Sequence, residues 1–184
     1  ARFASQFETP DDLDTTPTDL SVEDRWILAE FSSTMQRAEN GWSNLDIYTA
    51  TQALKTFGTG VLPSHWLEMS KSRLYDGDVN AAWTIHRIVR DLMSALSPVC
   101  PFFTHHISST LYESSAVDVR EFPTRTPDDE TLRGLTSAIE DFNGATWKTK
   151  KEAGLSLNAP IGGIVIPEEL SEFTTILTQM HKLE

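Results

Sequence analysis

Residues 79–96 constrain the fold more than any other stretch of this chain. Val79, Ala82, Trp83, Val89, Leu92, Met93 and Leu96 form a wide apolar stripe at helical spacing. That pattern predicts an α-helix that packs deeply. Such a helix must bury itself against other helices with apolar faces of their own. Gly77 breaks the chain ahead of it, Asp78 is placed to cap its start, and Pro98 and Pro101 end it.

The neighbours are legible on either side. Ser21 and Asp24 stand at capping-box spacing, and Ile27, Leu28, Phe31, Met35 and Ala38 follow on one face, with Gly41 the expected stop. Asn44 is the expected cap of a second helix carrying Ile47, Ala50, Leu54, Phe57 and Val61. Gly58, Gly60 and Pro63 interrupt it, and the pattern resumes with Trp66, Leu67 and Leu74, which predicts one long bent element or two abutting ones. Residues 102–112 make a short helix. Alternation over 117–122, and over 161–166 across Gly162-Gly163, predicts two short strands. Further helices run from Asp128 towards Trp147 and from Pro167 through Met180.

The fold class expected is therefore mainly α, an antiparallel helical bundle with a small α/β appendage. Residues 1–20 read as a helix end and acidic connector, 21–124 as the bundle, and 125–184 as the appendage. Two strands make a poor sheet, so the appendage reads as truncated. Ala1-Arg2-Phe3, without an initiator Met, reads as the last turn of a helix cut from a larger protein.

Hydrophobic residues make up 39% of the 184, enough for a core. No apolar run approaches the roughly 18–20 residues of a membrane helix, and no signal peptide opens the chain. The single cysteine, Cys100, rules out an internal disulfide or a cysteine zinc site and suits a reducing cytoplasm. The formal net charge of -12 argues against a general nucleic-acid binder, because phosphate affinity rests on Lys and Arg. Any RNA contact must be local and shape-dependent. Residues 8–19 hold five carboxylates, no basic residue, and Pro10 and Pro17, the composition of a solvated connector.

Several motifs have a plain structural explanation. Glu68-Met69-Ser70-Lys71-Ser72 nearly spells an ATP-loop signature, K-M-S-K-S, but it sits in a helical run with no H-I-G-H partner; Lys71 and Glu68 read as a solvated pair. The adjacent His105 and His106 would point about 100° apart on a helix and so cannot converge on one metal ion. Trp26, Trp66 and Trp83 lie on or beside apolar faces and read as core. No Gly-rich phosphate loop and no nucleophile–base pair occurs, so no catalytic residue, metal or cofactor is expected in this chain. Two features suit RNA. Arg2-Phe3 joins a cation to an aromatic ring, the minimal chemistry for a splayed base. Lys148, Lys150 and Lys151 form the one basic cluster, explained equally by phosphate contact or by a helix end complementing its dipole.

The order of segments resembles the anticodon-binding domain of class Ia aminoacyl-tRNA synthetases. Asp24-Arg25-Trp26-Ile27-Leu28 is similar to the D-R-W-I-L that opens the first bundle helix there. Trp66-Leu67-Glu68 with Lys71, Arg73, Leu74 and Tyr75 resembles Y-L-E-x-x-K-x-R-L-Y, and residues 96–104 resemble L-A-P-I-M-P-F-I-T. Val117-Asp118-Val119-Arg120 and Phe122-Pro123 resemble the S-V-H-L…W-P that closes the region. Lys150, Lys151 and Leu-Ser-Leu-Asn-Ala-Pro-Ile at 155–161 resemble a segment of archaeal-type valyl-tRNA synthetases, and with the Arg2-Phe3 start they favour that branch. Trp66 for Tyr, His105-His106 for an acidic pair, Gly58 and Gly60 in a helical stretch, and Phe122 for Trp depart from the pattern. The resemblance implies an anticodon stem-loop of valine tRNA as partner, with Phe3 stacking on an anticodon base. It also implies a separate catalytic domain of the same parent chain, which uses ATP with magnesium. The same domain of an isoleucyl- or leucyl-tRNA synthetase, and a protein–protein interaction bundle, are the alternatives.

Overall fold

Ser21 starts the bundle as its spacing predicts. In the computed structural model, which describes residues 1–112 and 122–184, its hydroxyl accepts from the Asp24 backbone N–H and donates to the Asp24 carboxylate at 2.9 Å. Helix α1 (Val22–Ser43) then buries Trp26, Ile27, Leu28, Phe31, Met35 and Ala38. Gly41 does not stop it. A Cβ there would sit 2.8 Å from the Ala50 backbone N, so this glycine lets α1 and the next helix cross at close range. The cap of α2 (Ile47–Thr56) is Asp46, which accepts from the Thr49 N–H at 3.0 Å, whereas Asn44 donates back to the Asn40 carbonyl.

The long bent element appears as expected. Wide turns over Phe57–Trp66 carry α2 directly into α3 (Leu67–Tyr75), and the Leu67 N–H reaches the Leu62 carbonyl, five residues back. Pro63 has no N–H to give the normal ladder, and widening the turn accommodates that loss. Asp78 caps α4 (Val79–Leu96), accepting from the Asn80 and Ala81 N–H groups. Trp83, Ile85, Ile88, Val89, Leu92 and Met93 are buried, but Val79 is 74% exposed. Pro101 begins α5 (Pro101–Tyr112) at the one helical position where a missing N–H costs nothing.

The helix expected from Asp128 is divided into α6 (Glu130–Arg133) and α7 (Thr136–Glu152). A 3₁₀ segment, Glu168–Phe173, leads into α8 (Thr174–His181). The strand expected over 161–166 does not form. Ile161 alone makes a single parallel bridge to Leu183, and Gly163, at φ 76°, breaks the alternation after it. Of the other expected strand, residues 117–121 lie outside the described residues. Among the described residues, then, the appendage is helical and loop, and its hydrophobic side chains join the core of the bundle. Trp26 packs edge-on against Phe173 at 6.3 Å and donates its indole N–H to Thr136 Oγ1 at 2.9 Å.

Residues 8–19 keep their carboxylates largely towards solvent, but their backbone is held as a strap along α4. The Trp83 indole donates to the Asp12 carbonyl at 3.0 Å and Arg87 to the Leu13 carbonyl at 3.0 Å. Asn80 donates to the Asp19 carbonyl, and Arg90 pairs with the Asp14 carboxylate at 2.8 Å. These α4 residues recur at three- and four-residue spacing, so one edge of the helix grips the strap.

Arg73, near the end of α3, reaches Glu23 at 2.6 Å, Asp24 at 2.7 Å, Asp78 at 2.9 Å and the Ser21 hydroxyl at 2.7 Å. Arg73→Ala leaves the buried Glu23 and Asp24 carboxylates without their counter-charge. It is expected to cost about 3–5 kcal/mol in urea unfolding followed by circular dichroism. A cost under about 1 kcal/mol would mean that the junction behaves as an exposed ion pair.

Candidate nucleic-acid interface

Phe3 belongs to a cluster of three rings. It lies edge-on to Phe7 at 5.1 Å and to Tyr75 at 6.4 Å, and Phe7 and Tyr75 meet at 5.6 Å. Phe3 is half-buried, Tyr75 is 61% exposed, and Arg2 beside them is exposed. A short 3₁₀ turn, Ala4–Gln6, with Ala4 buried, sets Phe3 and Phe7 on one side. The Phe7 carbonyl faces His86 Nε2 at 3.2 Å, and Tyr112 donates its hydroxyl proton to the His86 carbonyl at 3.1 Å. Burial lowers the His86 pKa, so the ring is neutral at pH 7, and a carbonyl partner assigns its proton to Nε2. Phe3 was visible from sequence; Phe7 and Tyr75 were not assigned to a site. Their signals were the four-residue spacing from Phe3 and the aromatic that closes Lys71-Ser72-Arg73-Leu74-Tyr75.

The basic cluster does not sit together. Lys148 and Lys151 are exposed at the end of α7, Lys148 within 4.0 Å of Glu152. Lys150 is fully buried, and its ammonium donates to the Leu157 carbonyl at 2.8 Å and the His181 carbonyl at 2.6 Å. Burial lowers its pKa, with the Lys182 charge adding to the shift. Lys150 thus ties the loop after α7 to the end of α8, and no phosphate can reach it in this structure. The sequence carried the warning: Ile139, Phe142, Asn143, Thr146 and Lys150 are one buried stripe at three- and four-residue spacing.

Above Lys150 runs a buried polar chain. Asn143 donates to His65 Nδ1 at 3.0 Å and accepts from His181 Nε2 at 2.7 Å. Burial, then the Lys150 charge, pushes His181 down to about 4; burial also lowers His65, opposed by Glu140 at 4.0 Å. Trp147 packs on both histidine rings, at 5.8 Å and 5.6 Å. Asn143 and Trp147 of α7 thus meet the wide-turned segment at His65, whereas Phe3 meets Tyr75 at the end of α3.

The remaining motifs sit where the plain explanation puts them. Lys71 pairs with Glu68 at 3.2 Å on α3, and His105 and His106 are exposed on α5. Among the described residues no group of three or more His, Cys, Asp or Glu could hold a metal ion.

Residues 24–166 match the family profile described as the anticodon-binding domain of tRNA ligase. The chain belongs to that family. Lys148, Lys150 and Lys151 fall inside the matched stretch of this anticodon-binding domain, and Arg2 and Phe3 fall before it. Similar proteins include the valine–tRNA ligase of Saccharolobus solfataricus, 33% identical over 148 residues, covering 79% of this chain and 18% of that protein. The valine–tRNA ligase of Aeropyrum pernix is 29% identical over 195 residues, 99% of this chain and 23% of its own length. That of Pyrobaculum aerophilum is 26% identical over 195 residues, 100% of this chain and 24% of its own. The chain thus spans about a fifth to a quarter of these relatives.

Lys150→Met keeps most of the side chain's length but leaves the buried His181 carbonyl and the part-buried Leu157 carbonyl without a donor. It is expected to lower stability by about 1–3 kcal/mol while leaving RNA affinity unchanged. Full stability with weakened RNA binding would return Lys150 to the phosphate-contacting set. The buried histidines set a pH dependence as well. Unfolded His181 takes up its proton near 6.5, whereas the folded ring resists until about 4, so its contribution is fully present above the unfolded value. That contribution is lost as pH falls from about 6.5 to 4, at up to about 1.4 kcal/mol per pH unit. In His181→Gln the stability difference between pH 7 and pH 5, from urea unfolding, is expected to shrink by about 1–2 kcal/mol; an unchanged difference would contradict the assignment.

Proposed function

We propose that this chain recognises the anticodon stem-loop of a valine tRNA, as part of a valine–tRNA ligase. The observation that carries this reading is the match of residues 24–166 to the anticodon-binding domain, alongside archaeal valine–tRNA ligases aligned over most of the chain. In this reading, chemistry on valine, with ATP and magnesium, belongs to a separate catalytic domain of the same parent, working in the cytoplasm. Among the described residues no helix is long and apolar enough to cross a membrane.

The mechanism follows from what unpaired nucleotides offer. A base turned out of the loop presents two flat faces, and an aromatic ring held at a fixed angle gives it a stacking surface. Phe3, set against Phe7 and Tyr75, supplies that surface, and the exposed Arg2 supplies a cation for the adjoining phosphate or base edge. Lys148 and Lys151 contact phosphates on a different part of the tRNA, and Lys150 holds the loop that follows them. The net charge of -12 keeps the general affinity for RNA low, so discrimination rests on contact rather than attraction at a distance.

A labelled valine-tRNA anticodon hairpin, titrated at low salt by fluorescence anisotropy, tests this. Phe3→Ala is expected to cost about 1–3 kcal/mol of binding, and Lys148→Ala with Lys151→Ala to flatten the salt dependence. A hairpin that does not bind, or binds the Phe3→Ala protein equally well, defeats the reading.

A further inference from the structure

The strap leaves a groove between itself and the junction of α3 and α4. It has a volume of about 660 Å³, and its apolar walls include Phe7, Leu74, Tyr75, Val79, Ala82 and Trp83. That volume lies within the roughly 300–1,000 Å³ usual for small-ligand clefts. Phe7 and Tyr75 belong both to this groove and to the ring cluster around Phe3. Glu8 and Asp11 also line it, both exposed, and neither makes an ion pair among the described residues. Asp78 lines it too, but its carboxylate already serves Arg73 and the start of α4. No Lys, Arg or His lines the groove among the described residues.

We infer that this groove takes one unpaired nucleobase of an RNA strand, and that Glu8 and Asp11 select a base bearing an exocyclic amino group. This deepens the anticodon reading, on which it rests for the identity of the strand. Each part follows from the chemistry of the walls. Three aromatic side chains favour a planar ligand, and the volume admits a base with room for its sugar at the mouth. With carboxylates and no cation in the lining, a phosphate is repelled, so only the base end of a nucleotide enters. The backbone stays outside, on the side where Arg2 stands next to Phe3. A carboxylate accepts from the amino group of cytosine, adenine or guanine. Uracil places a single N–H between two carbonyl oxygens, which a carboxylate opposes. The base stacked on Phe3 and the base in the groove would then be neighbours on one strand, since Phe7 and Tyr75 stand between the two places.

The test uses hexacytidylate and hexauridylate, which bear the same phosphates and need no tRNA fold. Methyl signals of Val79 and Ala82 and the indole N–H of Trp83 are followed by NMR, with affinities measured on the same samples. Expected are shifts at all three residues with hexacytidylate and a preference over hexauridylate of about tenfold. Glu8→Gln with Asp11→Asn should abolish that preference, although removing two negative charges raises the affinity for both strands. Ala82→Met, which fills the floor, should weaken hexacytidylate about tenfold with the Tm unchanged. Failure of hexacytidylate to bind, equal affinity for the two strands, or shifts confined to residues outside the groove overturns the inference. The valine-tRNA hairpin is measured alongside. Hairpin binding that leaves Val79 and Ala82 unshifted removes the groove and leaves the anticodon reading standing. A groove that binds hexacytidylate while the hairpin fails to bind supports the base pocket and removes the anticodon reading.

Discussion

The Arg73 guanidinium is the interaction on which the rest of this structure depends. It meets Ser21, Glu23 and Asp24 at the start of α1 and Asp78 at the start of α4. Both helix starts carry the positive end of a helix dipole, which makes three carboxylates around one cation tolerable. Burial works against the charge on Arg73, but Asp24, Asp78 and Glu23 outweigh it and raise its pKa, so the guanidinium stays charged. The second oxygen of Asp24 accepts from the Trp66 indole at 3.1 Å, which brings the wide-turned segment into the same junction. Leu74 and Tyr75 follow Arg73 directly, so the groove wall and the ring cluster are placed by a charged contact one and two residues away.

A second constraint is how the chain uses its cations. It has 15 Lys and Arg, and many of them serve the fold. Arg25, Lys71, Arg73, Arg87, Arg90, Arg125, Arg133 and Lys148 each approach a carboxylate, while Lys150 is spent on carbonyls. Arg87 is the clearest case. Fully buried against Asp91, it donates to the carbonyls of Leu13 and Thr124 and so pins the strap to α4. The acidity of the sequence is therefore not an excess floating over a neutral bundle. It is what remains after Arg25, Arg73, Arg90 and Arg125 are placed beside carboxylates of other segments, and Lys71 and Lys148 beside carboxylates of their own helices.

This explains what could and could not be read from the sequence. Helical faces were legible because periodicity is local: Trp26, Trp66 and Trp83 are buried, Ser21 caps α1, and Pro63 marks the bend. What a residue meets on another segment was not legible. Gly41 looked like a helix end and is a crossing point, because only Ala50 on α2 shows how close that helix comes. Lys150 looked like part of a basic surface because its sequence neighbours are lysines, while its helical neighbours are buried. Residues 8–19 looked solvated because their carboxylates are, yet Leu13 is buried and the carbonyls of Asp12 and Leu13 are taken by α4. Alternation over 161–166 did not make a strand, because a strand needs a neighbour along its length and, among the described residues, only Leu183 pairs, with Ile161. The lysines of the candidate site stood together as a string of letters, and the helix keeps Lys148 and Lys151 outside while turning Lys150 into the core.

The separation of the candidate contacts bears on how an acidic domain can bind an acidic polymer. Phe3 meets Tyr75 at the end of α3, whereas Trp147, the chain neighbour of Lys148, meets His65 ten residues earlier. The Debye length at physiological ionic strength is about 8 Å, so a charge at one end is screened from the other. Long-range attraction is thus unavailable, but long-range repulsion is equally muted. On the proposed reading, what decides binding is within a few ångströms of each surface: rings that stack, one cation beside them, and carboxylates that accept from a base while turning its phosphate away. On the same proposed reading, a surface of that kind binds weakly and selectively, and its part is to discriminate between RNA loops rather than to hold the molecule.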